Sequence, residues 1–130
     1  MNEEAKPRSY KDLKVWQSGI QLVKDVYVLT RDFPTEEKFG LTSQMRRAAV
    51  SVPSNIAEGQ ARNSTAEFLQ FLAIAQGSLA ELETQVIVSM ELGFCNRDQV
   101  AKISDIIHQL QKMLHSLRSK LATNRHQPLC

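Results

Sequence analysis

Apolar residues recur along this chain at alternating intervals of three and four, in four runs that cover most of its length. Side chains spaced that way share one face of a helix, which turns by about 100° per residue. The first run, Leu13, Trp16, Ile20, Val23 and Tyr27, predicts a helix over about 12–31. Ser9 or Asp12 can cap it, and "RDFP" ends it because Pro34 pushes the preceding residue out of helical geometry. The second run, Leu41, Met45, Ala48, Val52, Ile56 and Gly59, predicts a helix over about 36–62. Pro34 and Thr35 are its start signals, and Gly40 interrupts its first turn. The third opens on a capping box, Ser64 with Glu67, and carries Phe68, Leu72, Ala75, Leu79, Leu82, Val86 and Met90 over about 65–92. Beside it runs a seam of small residues, Ala73, Gly77, Ala80 and Thr84, that lets a neighbouring helix come close. The fourth starts with Asn96 and Gln99 as a second box and keeps Val100, Ile103, Ile107, Leu110, Leu114, Leu117 and Leu121 in phase over about 97–121. Residues 1–11 are expected to form a flexible N-terminus and 122–130 a disordered tail. No segment alternates with period two for long enough to suggest a sheet. The pattern predicts an all-α protein, an antiparallel up-down-up-down four-helix bundle.

The stretch "RRAAVSVPSNIAEGQAR", Arg46 to Arg62, strains this pattern with a central proline. Pro53 either starts a new helix or kinks a continuous one, at a cost of about 3 kcal/mol in a helix interior. The apolar face keeps its phase across Pro53, which favours the kinked helix, with a carbonyl near Ala49 freed for a hydroxyl or water. Two further stripes flank that face. Gln44, Arg47, Ser51, Asn55, Glu58 and Arg62 form a polar one; Arg46, Val50, Pro53, Ala57 and Ala61 form one that is mostly apolar. Two apolar sides exceed what one bundle core requires, so Val50, Pro53, Ala57 and Ala61 are candidate subunit-interface residues and self-association is expected. The polar stripe reads either as a satisfied network at a helix or subunit boundary, with Glu58 and Arg62 as an i,i+4 pair, or as a recognition surface for phosphate or a partner protein.

At 130 residues the chain is one domain, and 42% apolar with 23% charged residues is the composition of a folded one. No apolar run approaches the roughly 20 residues that span a bilayer. The segment "MNEEAKPRSY" lacks the apolar core of a signal peptide, so a cytoplasmic location with no membrane partner is expected. Cys95 and Cys130 have no metal-ligand spacing. The net charge of +2 is unevenly spread: residues 63–96 hold four acidic groups and no basic one, whereas residues 97–130 hold six basic and two acidic. Such a pair of helices either neutralises itself within the fold or builds a basic face on assembly. Candidate phosphate contacts are Arg46, Arg47 and Arg62 on the second helix and Lys102, Lys112 and Arg118 on the fourth. No stacking aromatics are interleaved with them, which points to backbone or shape recognition of RNA or DNA. No Gly-rich phosphate loop or Glu-x-x-His pair is present, and Asp105, His108 and His115 read as a solvated face in preference to a metal site. No catalytic residue, metal or cofactor is expected.

Four blocks together carry a family resemblance: "YKDLKVW"; "FP" followed by "EEKFGLTSQMRRAAVSVPSNIAEGQAR"; "EFLQFLAIAQGSLAELETQ"; and "LGF". Through them the chain resembles the 23S rRNA intervening-sequence protein family. The resemblance implies a four-helix bundle that assembles into rings, typically pentamers, in a family for which no enzymatic activity is established. Its signature positions fall on Gln44, Arg47, Ala48, Ser51, Asn55, Glu58 and Gly59, and on Gly77, Ser78 and Glu81. Two functions follow as expectations. One is a ring-forming protein that binds nucleic-acid backbone or shape through basic patches. The other is an oligomeric scaffold for a partner protein, for example an accessory subunit of a nucleic-acid-handling enzyme.

Overall fold

The computed structural model describes residues 9–126. Four α-helices run through them: α1 (Lys14–Thr30), α2 (Leu41–Gln60), α3 (Thr65–Glu91) and α4 (Arg97–His126). Each packs on its neighbours in sequence, α1 closes against α4, and the diagonal pairs stay apart, so the helices stand at the corners of an up-down-up-down bundle. No strand occurs among the described residues.

The core is aliphatic. Leu22 and Val26 from α1, Met45, Val52 and Ile56 from α2, Leu72, Leu79, Leu82 and Val86 from α3, and Ile107, Leu110 and Leu114 from α4 are fully buried. For α2, α3 and α4 these are the residues that the periodicity selects. In α1 the buried face is instead Val15, Gly19, Leu22, Val26 and Leu29, again spaced 4-3-4-3. The expected stripe lies to one side of it: Leu13, Trp16 and Val23 are half-buried, while Ile20 and Tyr27 are exposed. α1 thus has two apolar stripes in register with a helix, and only packing decides which one turns inward.

Local chemistry sets the element ends. Ser64 Oγ accepts from Glu67 N at 3.1 Å, and Asn96 and Gln99 exchange two 2.9 Å bonds, so both predicted capping boxes form. α3 ends in a Schellman turn: Gly93 takes φ 80°, its N–H donates to Met90 O, and Phe94 N donates to Ser89 O. This is why the "LGF" block contains glycine. Phe94 then packs on Phe33 at 5.6 Å between ring centroids, tying the α3–α4 turn to the α1–α2 turn.

Three boundaries differ from expectation. Residues 9–11 are not part of a flexible arm: Ser9 caps a 3-10 turn over Tyr10–Asp12, Gln17 Nε2 donates to Lys11 O, and Tyr10 packs edge-on against Trp16. The rest of the expected flexible segment, 1–8, lies outside the described residues. The second helix begins at Leu41, because Gly40 (φ −108°, ψ −113°) separates it from a 3-10 turn over Thr35–Glu37; Glu37 Oε1 accepts from Leu41 N and caps it. α4 continues past Leu121 to His126. The apolar face stops at Leu121, but no proline or glycine follows until Pro128, and Thr123 Oγ1 donates back to Ser119 O within the helix. Of the expected disordered tail, 127–130 lie outside the described residues.

Pro53 sits inside an unbroken α2, as the conserved phase requires. Its ring is buried and faces Gly19 of α1: a Cβ at Gly19 would lie 3.2 Å from Pro53 Cβ and 3.4 Å from Cδ. Pro53 is therefore used within the chain, contrary to its expected place at a subunit interface. Ala57 is half-buried, and only Val50 and Ala61 of that set stay exposed. The reason is the corner position of α2, which presents one flank to α1 and the other to α3.

Candidate functional site

The polar stripe of α2 meets the signature positions of α3. Asn55 Nδ2 donates to Ser51 O at 2.8 Å and to Ser51 Oγ at 2.9 Å, and the hydroxyls of Ser51 and Ser78 share a hydrogen bond of 2.8 Å. A groove of about 370 Å³ lies beside this chain of bonds, lined by Gln44, Arg47, Ala48, Ser51 and Glu81. One turn along α3 from Glu81, the buried Gln85 donates weakly to Glu81 Oε2 at 3.4 Å, and its Oε1 has no partner. The sequence motif thus becomes one polar seam on two helices. Gly59 belongs to the same contact for a steric reason, because a Cβ there would lie 2.7 Å from Phe71 Cβ.

The basic residues singled out in the sequence do not form one patch. Arg46 is turned toward α1, with Nε donating to Thr30 Oγ1 at 2.9 Å and its guanidinium 4.3 Å above the Tyr27 ring. Arg62 pairs with Glu58 at 2.8 Å and Glu67 at 3.7 Å and lies over Phe71. Arg118 reaches across to Gln76 of α3. Lys102 borders a groove of about 530 Å³ between α1 and α4, where Asp25 and Asp105 offset it. Arg47 is exposed on the α2–α3 groove. Glu58 is exposed and committed to Arg62.

At the other end of the α1–α4 face, Lys112 is joined by two lysines that the sequence reading did not single out. Lys14, Lys112 and Lys120 surround a groove of about 410 Å³ floored by Leu13, Met113 and Leu117, and among the described residues no carboxylate lines it. Lys14 escaped notice because acidic residues nearly balance the basic ones over the first helix. Proximity to α4 is a property of the fold.

The remaining chemistry is sparse. His108 Nε2 meets Glu83 Oε2 at 2.6 Å, joining α4 to α3, so it pairs across helices and not along its own. No group of three metal-ligating side chains comes together among the described residues. Burial pushes the Cys95 thiol above its ordinary pKa, the direction that weakens a nucleophile at neutral pH. No described helix is long and apolar enough to cross a membrane.

An aliphatic core, short connections and four helices that pack only on adjacent neighbours place the protein in the class of small four-helix bundles. The chain belongs to the 23S rRNA-intervening sequence protein family, whose profile matches residues 11–116. Its fold is similar to the crystal structure of a protein of unknown function from the S23 ribosomal protein family of Bacteroides thetaiotaomicron. That similarity has a TM-score of 0.75 at 24% identity and covers 81% of this chain and 95% of the other. No curated protein sequence matches the chain. The family's association with rRNA intervening sequences suggests a nucleic-acid-associated role.

Proposed function

We propose that this protein is a non-enzymatic, cytoplasmic homo-oligomer that binds the phosphate backbone of RNA or DNA. The observation that best supports the reading is the groove of Lys14, Lys112 and Lys120, three flexible cations around one concavity with no carboxylate among the described residues of its lining. Lysine serves phosphate as a mobile point charge, and among the described residues no aromatic side chain lines the groove to stack on a base. Recognition therefore follows backbone and shape. Oligomerisation, a pentameric ring by family resemblance, multiplies the groove around one particle and converts a modest charge per chain into a strong local field.

The test is fluorescence anisotropy with a structured RNA hairpin and a duplex DNA at low salt. The wild-type protein binds both with little sequence preference, and Lys14→Glu/Lys112→Glu/Lys120→Glu weakens binding at least tenfold. Absence of binding by the assembled wild-type protein at low salt overturns the proposal.

A second reading, a scaffold that docks a nucleic-acid-handling protein, is favoured by a different observation. Phe39 is 89% exposed beside Tyr27 and Val50, an apolar surface that nucleic acid does not need.

A further inference from the structure

Between α1 and the start of α2 lies a groove of about 610 Å³ in which two aromatic side chains stand among cations. Tyr27 comes from α1, Lys38 and Phe39 from the α1–α2 turn, and Arg46, Arg47 and Val50 from α2. Among the described residues no carboxylate lines this groove or pairs with its three cations. Phe39 is 89% exposed and so forfeits the burial that normally stabilises an aromatic ring. It does not sit on a loose loop. Lys38 N donates to Thr35 O, Gly40 N to Glu37 O and Leu41 N to Glu37 Oε1, so the backbone is bonded on both sides of the ring. Lys38 Nζ stands 5.5 Å from the Phe39 centroid, and the Arg46 guanidinium 4.3 Å from that of Tyr27. Along the chain no aromatic is interleaved with the arginines of α2; the fold supplies two from outside that helix.

We propose that this groove binds an unpaired nucleotide of a single-stranded nucleic acid, its base stacked on Phe39 and its phosphate held by Lys38 and Arg47. A base within a duplex is already stacked on its neighbours, so a duplex backbone has no use for Phe39, whereas an unpaired base does. Every base presents a π-face, so the contact tolerates any sequence, while the cations beside the ring follow the backbone. Tyr27, Phe39 and Val50 alone would also suit a protein partner. The three cations around them favour an occupant that carries phosphate. Between Lys14 and Tyr27 the helix rises about 20 Å, which makes this site separate from the groove of Lys14, Lys112 and Lys120. The site rests on the nucleic-acid reading of the protein and adds to its backbone contact one that selects unpaired strands.

The experiment is fluorescence anisotropy at low salt with labelled DNA probes: a short oligothymidylate, an abasic strand of the same length, and a duplex. The abasic strand keeps the phosphates and lacks the bases. Wild-type protein is expected to bind the oligothymidylate about fivefold or more tighter than the abasic strand, the effect of one stacked base. Phe39→Ala removes that preference without weakening abasic or duplex binding, and Phe39→Trp keeps it. Circular dichroism verifies the fold, which so exposed a side chain does little to support. Lys38→Ala/Arg47→Ala weakens binding of both single strands. Equal wild-type affinity for the oligothymidylate and the abasic strand overturns this inference and leaves the duplex-backbone reading standing. A base preference that survives Phe39→Ala overturns the assignment of stacking to Phe39 and returns that surface to a protein partner. A base preference carried by Phe39 in a protein that does not bind the duplex upholds this site and overturns the backbone reading. A wild type that binds none of the probes overturns both.

Discussion

Gly59 and Gly77 both lie inside long helices and lack a side chain for opposite reasons. At Gly59 a Cβ would stand 2.7 Å from Phe71 Cβ and 3.0 Å from Phe68 Cδ1. The Phe68 ring can swing away, but Phe71 Cβ is fixed by its backbone, so α2 and α3 must separate. Gly59→Ala is expected to destabilise the fold by about 1–3 kcal/mol, the range for overpacked cores. At Gly77 nothing is near, and the helix carries only the conformational penalty of glycine. Gly77→Ala is expected to stabilise by about 0.8–1 kcal/mol, and a methyl group is small enough to remain on a flat face. Thermal melts followed by circular dichroism should move in opposite directions for the two variants; a shift of the same sign would refute the steric account of Gly59. At the same scale, Cys95 is half-buried with its thiol pKa raised by that burial. Its thiolate is therefore scarcer than that of an exposed cysteine at pH 8. In Cys130→Ser protein, iodoacetamide should label Cys95 slowly in the native state and rapidly in urea. Equal rates would show the burial to be transient.

Helix α2 owes its continuity to a contact made by its least helical residue. Pro53 removes one backbone hydrogen bond, yet its ring fills the space left by Gly19 and draws α1 and α2 together. Gly19→Ala places a methyl 3.2 Å from a rigid ring and is expected to destabilise the protein. In a Pro53→Ala background the same substitution should be milder, with a coupling on the order of 1 kcal/mol in a double-mutant cycle by urea denaturation. Additive effects would mean that the two residues do not bear on each other. The cap of α4 offers a simpler check, since Asn96→Ala removes the acceptor for Gln99 N and should lower stability by about 1 kcal/mol. The sequence made these elements readable where a local signal exists. Capping boxes, the Pro34 stop and three of four core faces rest on contacts within a few residues of each other. In α1 the two stripes are equally periodic, and what distinguishes them is packing on α2 and α4, such as the contact of Gly19 with Pro53, more than thirty positions away. The candidate site behaved the same way. The polar stripe on α2 was visible as spacing, whereas its union with Ser78 and Glu81, and the meeting of Lys14 with Lys112 and Lys120, depend on which helices become neighbours.

For the whole molecule, charge is better read by what each group already holds than by its sign. The acidic α3 and basic α4 partly satisfy each other, through Glu83 with His108, and Arg118 turns to Gln76 of α3. Arg62 is shared between Glu58 and Glu67. A cation in such a pair releases little counterion when a phosphate arrives, because a carboxylate already occupies it. The lysines of the α1–α4 groove have no acidic group among the described residues of its lining and should account for most of the release. For duplex DNA each neutralised phosphate adds about 0.9 to the slope of log K against log salt, and for single strands about 0.7. One fully engaged groove of three lysines therefore predicts a duplex slope of about −2.7, steeper in proportion to the number of grooves that touch one DNA. Lys112→Ala should flatten that slope by about 0.9 per engaged groove, whereas Arg62→Ala should leave it unchanged even if it alters stability. The slope separates the two cases where affinity alone does not, since loss of assembly weakens binding without identifying the contact. If Arg62→Ala flattens the slope and Lys112→Ala does not, phosphate sits on α2, and the Glu58 and Glu67 pairs must open to admit it.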